Sequence, residues 1–155
     1  MPRSLDELLA EVPFLDGLGA GRLALLAGCA QNVHFDAGAH IFREGDEADV
    51  FYVVRHGSVA IENFVPARGA VTIETIGAGE ALGWSWLFPP HRWHFDARAL
   101  SSVRAIGFDG ACLRGKCEAD PALGYEVLGR FAQLLIERLQ WTRLRLLDVY
   151  GNGER

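Results

Sequence analysis

The sequence predicts a mainly β fold, a barrel or sandwich of short strands flanked by helices, and three observations carry that prediction. Between Val33 and Phe108, runs rich in Val, Ile and Phe recur at a spacing of about ten residues. Turn residues separate these runs, within a chain whose 18 glycines among 155 residues exceed the usual share of about 7%. On either side of that stretch the apolar period lengthens to the helical repeat.

The N-terminal residues 1–31 read as a helical lead-in. Ser4 followed by Glu7 makes a capping-box pair for a helix start. Leu5, Leu8, Leu9 and Val12 then share one face, and Pro13 closes the segment. A second helix is expected from Ala20 to Ala30, with Leu23, Leu26 and Ala27 at helical spacing.

Residues 32–110 read as the β-barrel. Its expected strands are Val33 to Phe35, His40 to Phe42, Val50 to Val54, Val59 to Ile61, Val71 to Ile76, Ala97 to Ala99 and Val103 to Phe108. The separators Asp36-Ala37-Gly38, Glu44-Gly45-Asp46, His56-Gly57 and Gly77-Ala78-Gly79 supply positive backbone angles and local side-chain hydrogen bonds.

A long helix is expected over 119–150, because beyond Pro121 only Gly124 and Gly129 interrupt the helical period before Gly151. Leu128, Ala132, Leu135, Leu139, Thr142, Leu146 and Val149 follow the 4-3 spacing of a coiled-coil seam, with Val127, Phe131, Leu134 and Trp141 beside them. Either one face covers the barrel and the other stays partly exposed, or the second face pairs with its copy. Because contiguous apolar stripes are rarely left in water, a homodimer is expected.

Composition narrows the function. The length suits a single domain, and a net charge of −5 has the wrong sign for wrapping nucleic acid. The run Leu23 to Ala30 is far shorter than the roughly 18 residues of a membrane span, and Met1 to Glu7 lacks a secretory signal. Cys29, Cys112 and Cys117 cannot all pair and form no Cys-x-x-Cys motif, so a reducing compartment is expected, with Cys112 and Cys117 as buried or idle thiols. A cytoplasmic protein without membrane contact is the resulting expectation. No nucleophile-and-base motif or triphosphate loop is present, so no enzymatic activity is expected.

One stretch carries a family resemblance. Ile41 to Val59, containing Glu44-Gly45-Asp46, Phe51-Tyr52-Val53-Val54 and Gly57-Ser58-Val59, resembles the cyclic-nucleotide-binding domain family, the sensor module of catabolite-activator-type regulators, kinase regulatory subunits and gated channels. Phe35-Asp36-Ala37-Gly38 resembles the turn before the first diagnostic strand, and Gly79-Glu80-Ala81-Leu82-Gly83 the start of the phosphate-binding cassette. The resemblance covers about Phe14 to Tyr150 and implies a double-stranded β-helix (jelly-roll) barrel plus a long C-terminal helix.

It also implies a site. In the family, a short helix after the glycine turn points backbone N–H groups at the cyclic phosphate, a buried Arg neutralises it, and a Glu accepts the ribose hydroxyl; each is sound physically. In this chain the Glu position falls on Trp84 and the Arg position on Trp93. A cyclic phosphate buried without a cation costs several kcal/mol, so nucleotide selectivity is expected to be altered or lost. Arg92, one residue out of register, substitutes only if Pro89-Pro90 re-aims the loop. The candidate ligand-binding residues are Gly79, Leu82, Gly83, Trp84, Ser85, Arg92 and Trp93, for a cyclic nucleotide or another small anion.

The remaining signals are weaker. Trp84, Trp86, Trp93 and Phe95 either stack on a flat ligand or fill the barrel themselves, and self-filling is expected. His91 and His94 lack one-face metal geometry, Cys112 and Cys117 lack zinc-pair spacing, and Glu44 to Asp49 is too short for a calcium loop. Arg130, Arg138, Arg143 and Arg145, set against Glu126, Glu137 and Asp148, read as a solvated helix face. Activator-type regulators continue into a helix-turn-helix, whereas this chain ends at Gly151 to Arg155, so no direct DNA binding is expected. The expected role is a stand-alone, dimeric sensor or regulatory domain; the alternative is a ligand-free assembly or partner-docking module with its barrel plugged by Trp84 and Trp93.

Overall fold

The computed structural model describes residues 4–153, with side chains in the last helix as far as Asp148. It begins with α1 (Leu5–Ala10), where the Ser4 hydroxyl accepts the Glu7 N–H at 3.3 Å. Pro13–Leu15 forms one 3₁₀ turn rather than a simple stop, since proline suits the first helical position. The second helix, α2 (Ala20–Ala27), is shorter than the sequence suggests, because Ala30 already belongs to β1 (Ala30–Phe35).

The remaining strands are β2 (His40–Phe42), β3 (Val50–His56), β4 (Val59–Val65), β5 (Gly69–Ile76), β6 (Ala81–Leu82), β7 (Asp96–Ala99) and β8 (Val103–Asp109). They form two antiparallel four-stranded sheets, ordered β1-β8-β3-β6 and β2-β7-β4-β5. This is the mainly β jelly-roll with flanking helices that the resemblance implies. Two helices follow, α3 (Gly110–Ala119) and α4 (Pro121–Gly153). Nothing in the sequence reading anticipates α3; Asp109 starts it by accepting the Cys112 N–H at 2.8 Å.

The first sheet separates two apolar cores. On β3, Phe51 and Val53 face the helices while Val54 faces the second sheet; on β8, Ile106 and Phe108 oppose Val103 and Ala105 in the same way. Between the sheets lie Phe42, Val59, Ile61, Ile76, Leu82, Trp93 and Phe95. On the helix side, Phe51 stacks on Phe108 and Trp86, and Phe131 of α4 meets Phe51 edge-on at 5.1 Å.

The first turns of α4 divide as the 4-3 spacing requires, whereas residues 139–148 are exposed on every face. Val127 and Phe131 are buried and Leu134 packs on the helix-side core, whereas Leu128, Ala132, Leu139, Thr142 and Leu146 are exposed. Leu135 is half-buried, Trp141 is exposed despite its place in the covering set, and the Val149 side chain lies outside the described residues.

The cysteine expectation is corrected. Cys29 and Cys112 form a disulfide with Cα atoms 5.7 Å apart, so neither is an idle thiol. The Asp109 N–H donates to the Cys29 carbonyl, which brings the start of α3 against the start of β1 and the two sulfurs together. Cys117 is free and half-buried, and burial raises its thiol pKa.

Candidate functional site

The β5–β6 turn builds the rim of the site. Glu80 accepts the Gly77 N–H at 3.0 Å, the Gly79 N–H donates to the Val54 carbonyl at 2.7 Å, and β6 pairs through Leu82 and Ala81 with Tyr52 and Val53 of β3. Leu82 is fully buried between the sheets. Gly83 follows with φ +97°, and a Cβ there would lie 2.4 Å from the Trp93 ring. Both the backbone angle and the close approach therefore demand glycine. Beyond it, Ser85–Leu87 makes a single 3₁₀ turn, and the buried Ser85 hydroxyl has no hydrogen-bond partner among the described residues.

Trp93 fills the space beneath that rim. It is 3% exposed, its ring lies 3.7 Å from Phe42 at an interplanar angle of 8°, and Phe95 packs beside it. Backbone bonds hold it there, with its N–H on the Asp46 carbonyl at 3.0 Å and its carbonyl accepting from Gly45 at 2.9 Å. The position that the resemblance gives to a phosphate-binding Arg is thus part of the inter-sheet core.

Arg92, in an isolated antiparallel bridge with Glu47, turns away from Trp93 to the surface. It is exposed and donates to the Gly45 carbonyl at 3.0 Å, so its guanidinium braces the 43–46 turn instead of entering the cup. A cis peptide joins Pro89 to Pro90, and His94 is exposed. Trp86 joins the helix-side core, away from Trp93 between the sheets, and Trp84 packs against both cores.

Trp84 is only half-buried, and a residue from α4 covers it. Arg138 sets its guanidinium 5.0 Å from the Trp84 ring centre, donates from Nη2 to the Ala81 carbonyl at 2.7 Å and lies 3.6 Å from the Glu74 carboxylate of β5. Its side chain is 11% exposed, which corrects the reading of Arg138 as part of a solvated helix face. The long stem places the charge over the Trp84 ring. Burial lowers the Arg138 pKa, while Glu74 and Glu80 act in the opposite direction.

A cavity of about 470 Å³ opens between β5 and α4, lined by Glu74, Thr75, Glu80, Leu134, Glu137, Arg138, Gln140, Trp141 and Leu144. A second of about 330 Å³ lies next to it, bounded by Phe14, Gly79, Ala81 and Arg130. Three carboxylates face one guanidinium in the larger space, so its field is unfavourable to anions. Sequence reasoning missed Glu74 and Arg138, whose only signal is a lone acid on an alternating strand and a lone base near an apolar helix face. Among the described residues no His, Cys, Asp and Glu cluster is arranged to hold a metal. The cup comprises a glycine turn, two indoles and an internal ion pair.

Elsewhere in the second sheet, Glu62 is buried and takes a bidentate pair of 3.0 Å hydrogen bonds from Arg98. Those bonds lower the Glu62 pKa more than burial raises it.

Comparison with known proteins accords with this architecture. Residues 32–120 match the family model described as the cyclic nucleotide-binding domain. The chain is 27% identical over 145 residues to the CRP-like cAMP-activated global transcriptional regulator of Mycobacterium tuberculosis (strain H37Rv), covering 94% of this chain but 63% of that regulator. A Geobacter metallireducens GS-15 structure assigned to the cyclic nucleotide-binding proteins shares 28% identity with a TM-score of 0.77, over 89% of this chain and 99% of that one. A cyclic nucleotide-binding domain from Methylobacillus flagellatus KT superposes with a TM-score of 0.79 at 21% identity, over 94% and 82% of the two chains, and so speaks for the fold.

Proposed function

The chain belongs to the cyclic nucleotide-binding domain family, and from that premise we propose that it is a regulatory sensor domain whose cup has altered or lost selectivity for cyclic nucleotides. The supporting observation is Trp93, buried at 3% exposure where the family resemblance puts the phosphate's Arg. Glu74, Glu80 and Glu137 around the neighbouring cavity add to the penalty for a cyclic phosphate. Any ligand lies between the Gly79 to Leu87 segment and the first half of α4, and it acts by favouring one of two positions of that helix.

The exposed stripe of α4 is the proposed contact with a second copy, a homodimer with its seam along Leu128, Leu139 and Leu146. The proposed setting is the cytoplasm, on the likeness to the CRP-like regulator and not on the cysteines, two of which are bridged, and the proposed role is non-catalytic; among the described residues no helix is long and apolar enough to cross a membrane. The assembly or partner-docking alternative gains from Trp93 but less from Trp84, which is half-buried under Arg138 and does not plug the barrel by itself.

The test is thermal stability with cyclic AMP or cyclic GMP at millimolar concentration. A ligand at about 100 times its dissociation constant stabilises a binder by roughly 2.7 kcal/mol, a Tm rise of about 5–10 °C for a chain of this size. The expected rise is under about 1 °C with either nucleotide, and a rise in the binder's range overturns the proposal.

A further inference from the structure

Arg138 occupies the cup, and each group that holds it suits a cation from any source. The Ala81 carbonyl accepts from Nη2 at 2.7 Å, the Glu74 carboxylate stands 3.6 Å from Nε, and the Trp84 ring centre is 5.0 Å from Cζ. A carbonyl, a carboxylate and an indole face are the partners a planar guanidinium prefers. None of the three favours an anion. The buried Nη1 has no hydrogen-bond partner among the described residues, and the adjoining cavity of about 470 Å³ contributes two further carboxylates, Glu80 and Glu137. Because the guanidinium is tethered to α4, filling the cup and seating the helix are one event.

We propose that the cup is a guanidinium receptor whose built-in occupant is Arg138, so that the chain carries its own ligand and latches α4 to β5 and β6 with no small molecule bound. The ligand class that competes with the latch is an organic guanidinium, opposite in charge to a cyclic nucleotide. This deepens the reading of a cup with altered selectivity and rests on it.

Chemical rescue tests it. Arg138→Ala empties the receptor, and its Tm falls by about 5 °C. N-ethylguanidinium chloride at about 20 mM, well above a millimolar dissociation constant, restores at least half of that loss. Equal N-ethylurea or sodium chloride restores none of it, and wild type is unaffected by all three. A folded variant that gains nothing from ethylguanidinium, or gains as much from ethylurea, overturns the proposal.

Should Arg138→Ala fail to fold, wild type and Arg138→Lys decide the matter by NMR of nitrogen-15 arginine side chains. A solvent-protected Nε–H signal present in wild type and missing from Arg138→Lys supports the latch, and no such signal overturns it. The nucleotide experiment fails separately: stabilisation of wild type by cyclic AMP overturns the selectivity reading whatever the rescue shows, whereas absent rescue with no nucleotide effect overturns the latch alone.

Discussion

Replacing Trp93 with alanine removes the ring on which the reading of the cup depends. The indole is buried, lies flat on Phe42 at 3.7 Å and fills the space that Gly83 leaves open. Its backbone bonds to Gly45 and Asp46 survive the change, so the loss is one of packing. Trp→Ala in a core costs about 3–5 kcal/mol. With an unfolding entropy of about 2.1 cal/mol/K per residue over 155 residues, each kcal/mol moves Tm by about 3 °C, so Trp93→Ala is expected to melt about 12 °C below wild type. Differential scanning calorimetry at matched protein concentration measures it, because an apolar cavity of that size also accepts small aromatics and free indole added to the variant should return part of the loss. Trp84→Ala, at a half-buried ring, should cost much less. A Trp93→Ala deficit under about 3 °C, or one equal to that of Trp84→Ala, refutes the view that Trp93 fills the space beneath the rim.

Three further outcomes are expected. Reduction, or Cys29→Ser, opens a loop spanning 83 residues; loop-closure entropy sets an upper bound of about 4.5 kcal/mol on the loss, seen as a fall in Tm, while thiol titration of the denatured chain rises from one reactive group to three on reduction and to two in Cys29→Ser. If three thiols titrate without reductant, the bridge is absent. For Glu62, the folded-state pKa is lowered, so its contribution to stability is full above the ordinary carboxylate range and disappears as pH falls through the folded value; Glu62→Gln should melt below wild type at neutral pH and converge with it as pH falls below the folded value, and parallel Tm curves would count against the pairing with Arg98. Leu139→Glu combined with Leu146→Glu places charge on the exposed stripe, and sedimentation should show the dimer replaced by monomer, an unchanged mass excluding that seam.

The barrel was readable because its punctuation is local. Gly38, Gly45, Gly57 and Gly79 all adopt positive φ at the turns where the sequence placed them, and the β-rich runs between them mark β3 and β8. The missed elements lacked such marks. Two residues of β6 carry no period, and α3 has Gly110 and Gly115 in place of an apolar stripe. The cup was half readable: resemblance located Trp84 and Trp93, but only the folded chain shows that one ring is sealed in and the other supports Arg138. The Glu74–Arg138 pair and the Cys29–Cys112 bridge join segments far apart in sequence, and no local pattern encodes such meetings.

The position of the bridge separates the molecule into a covalent ring and its arms. All eight strands lie between Cys29 and Cys112, whereas α1, α2 and α4 lie outside them. A protease cut in any hairpin linearises the ring without shedding a fragment, but a cut between α3 and α4 leaves the terminal arm held by packing alone. Insertions in the arms therefore leave the macrocycle intact, and the α4 arm can be lengthened, fused or exchanged while the strands remain cross-linked.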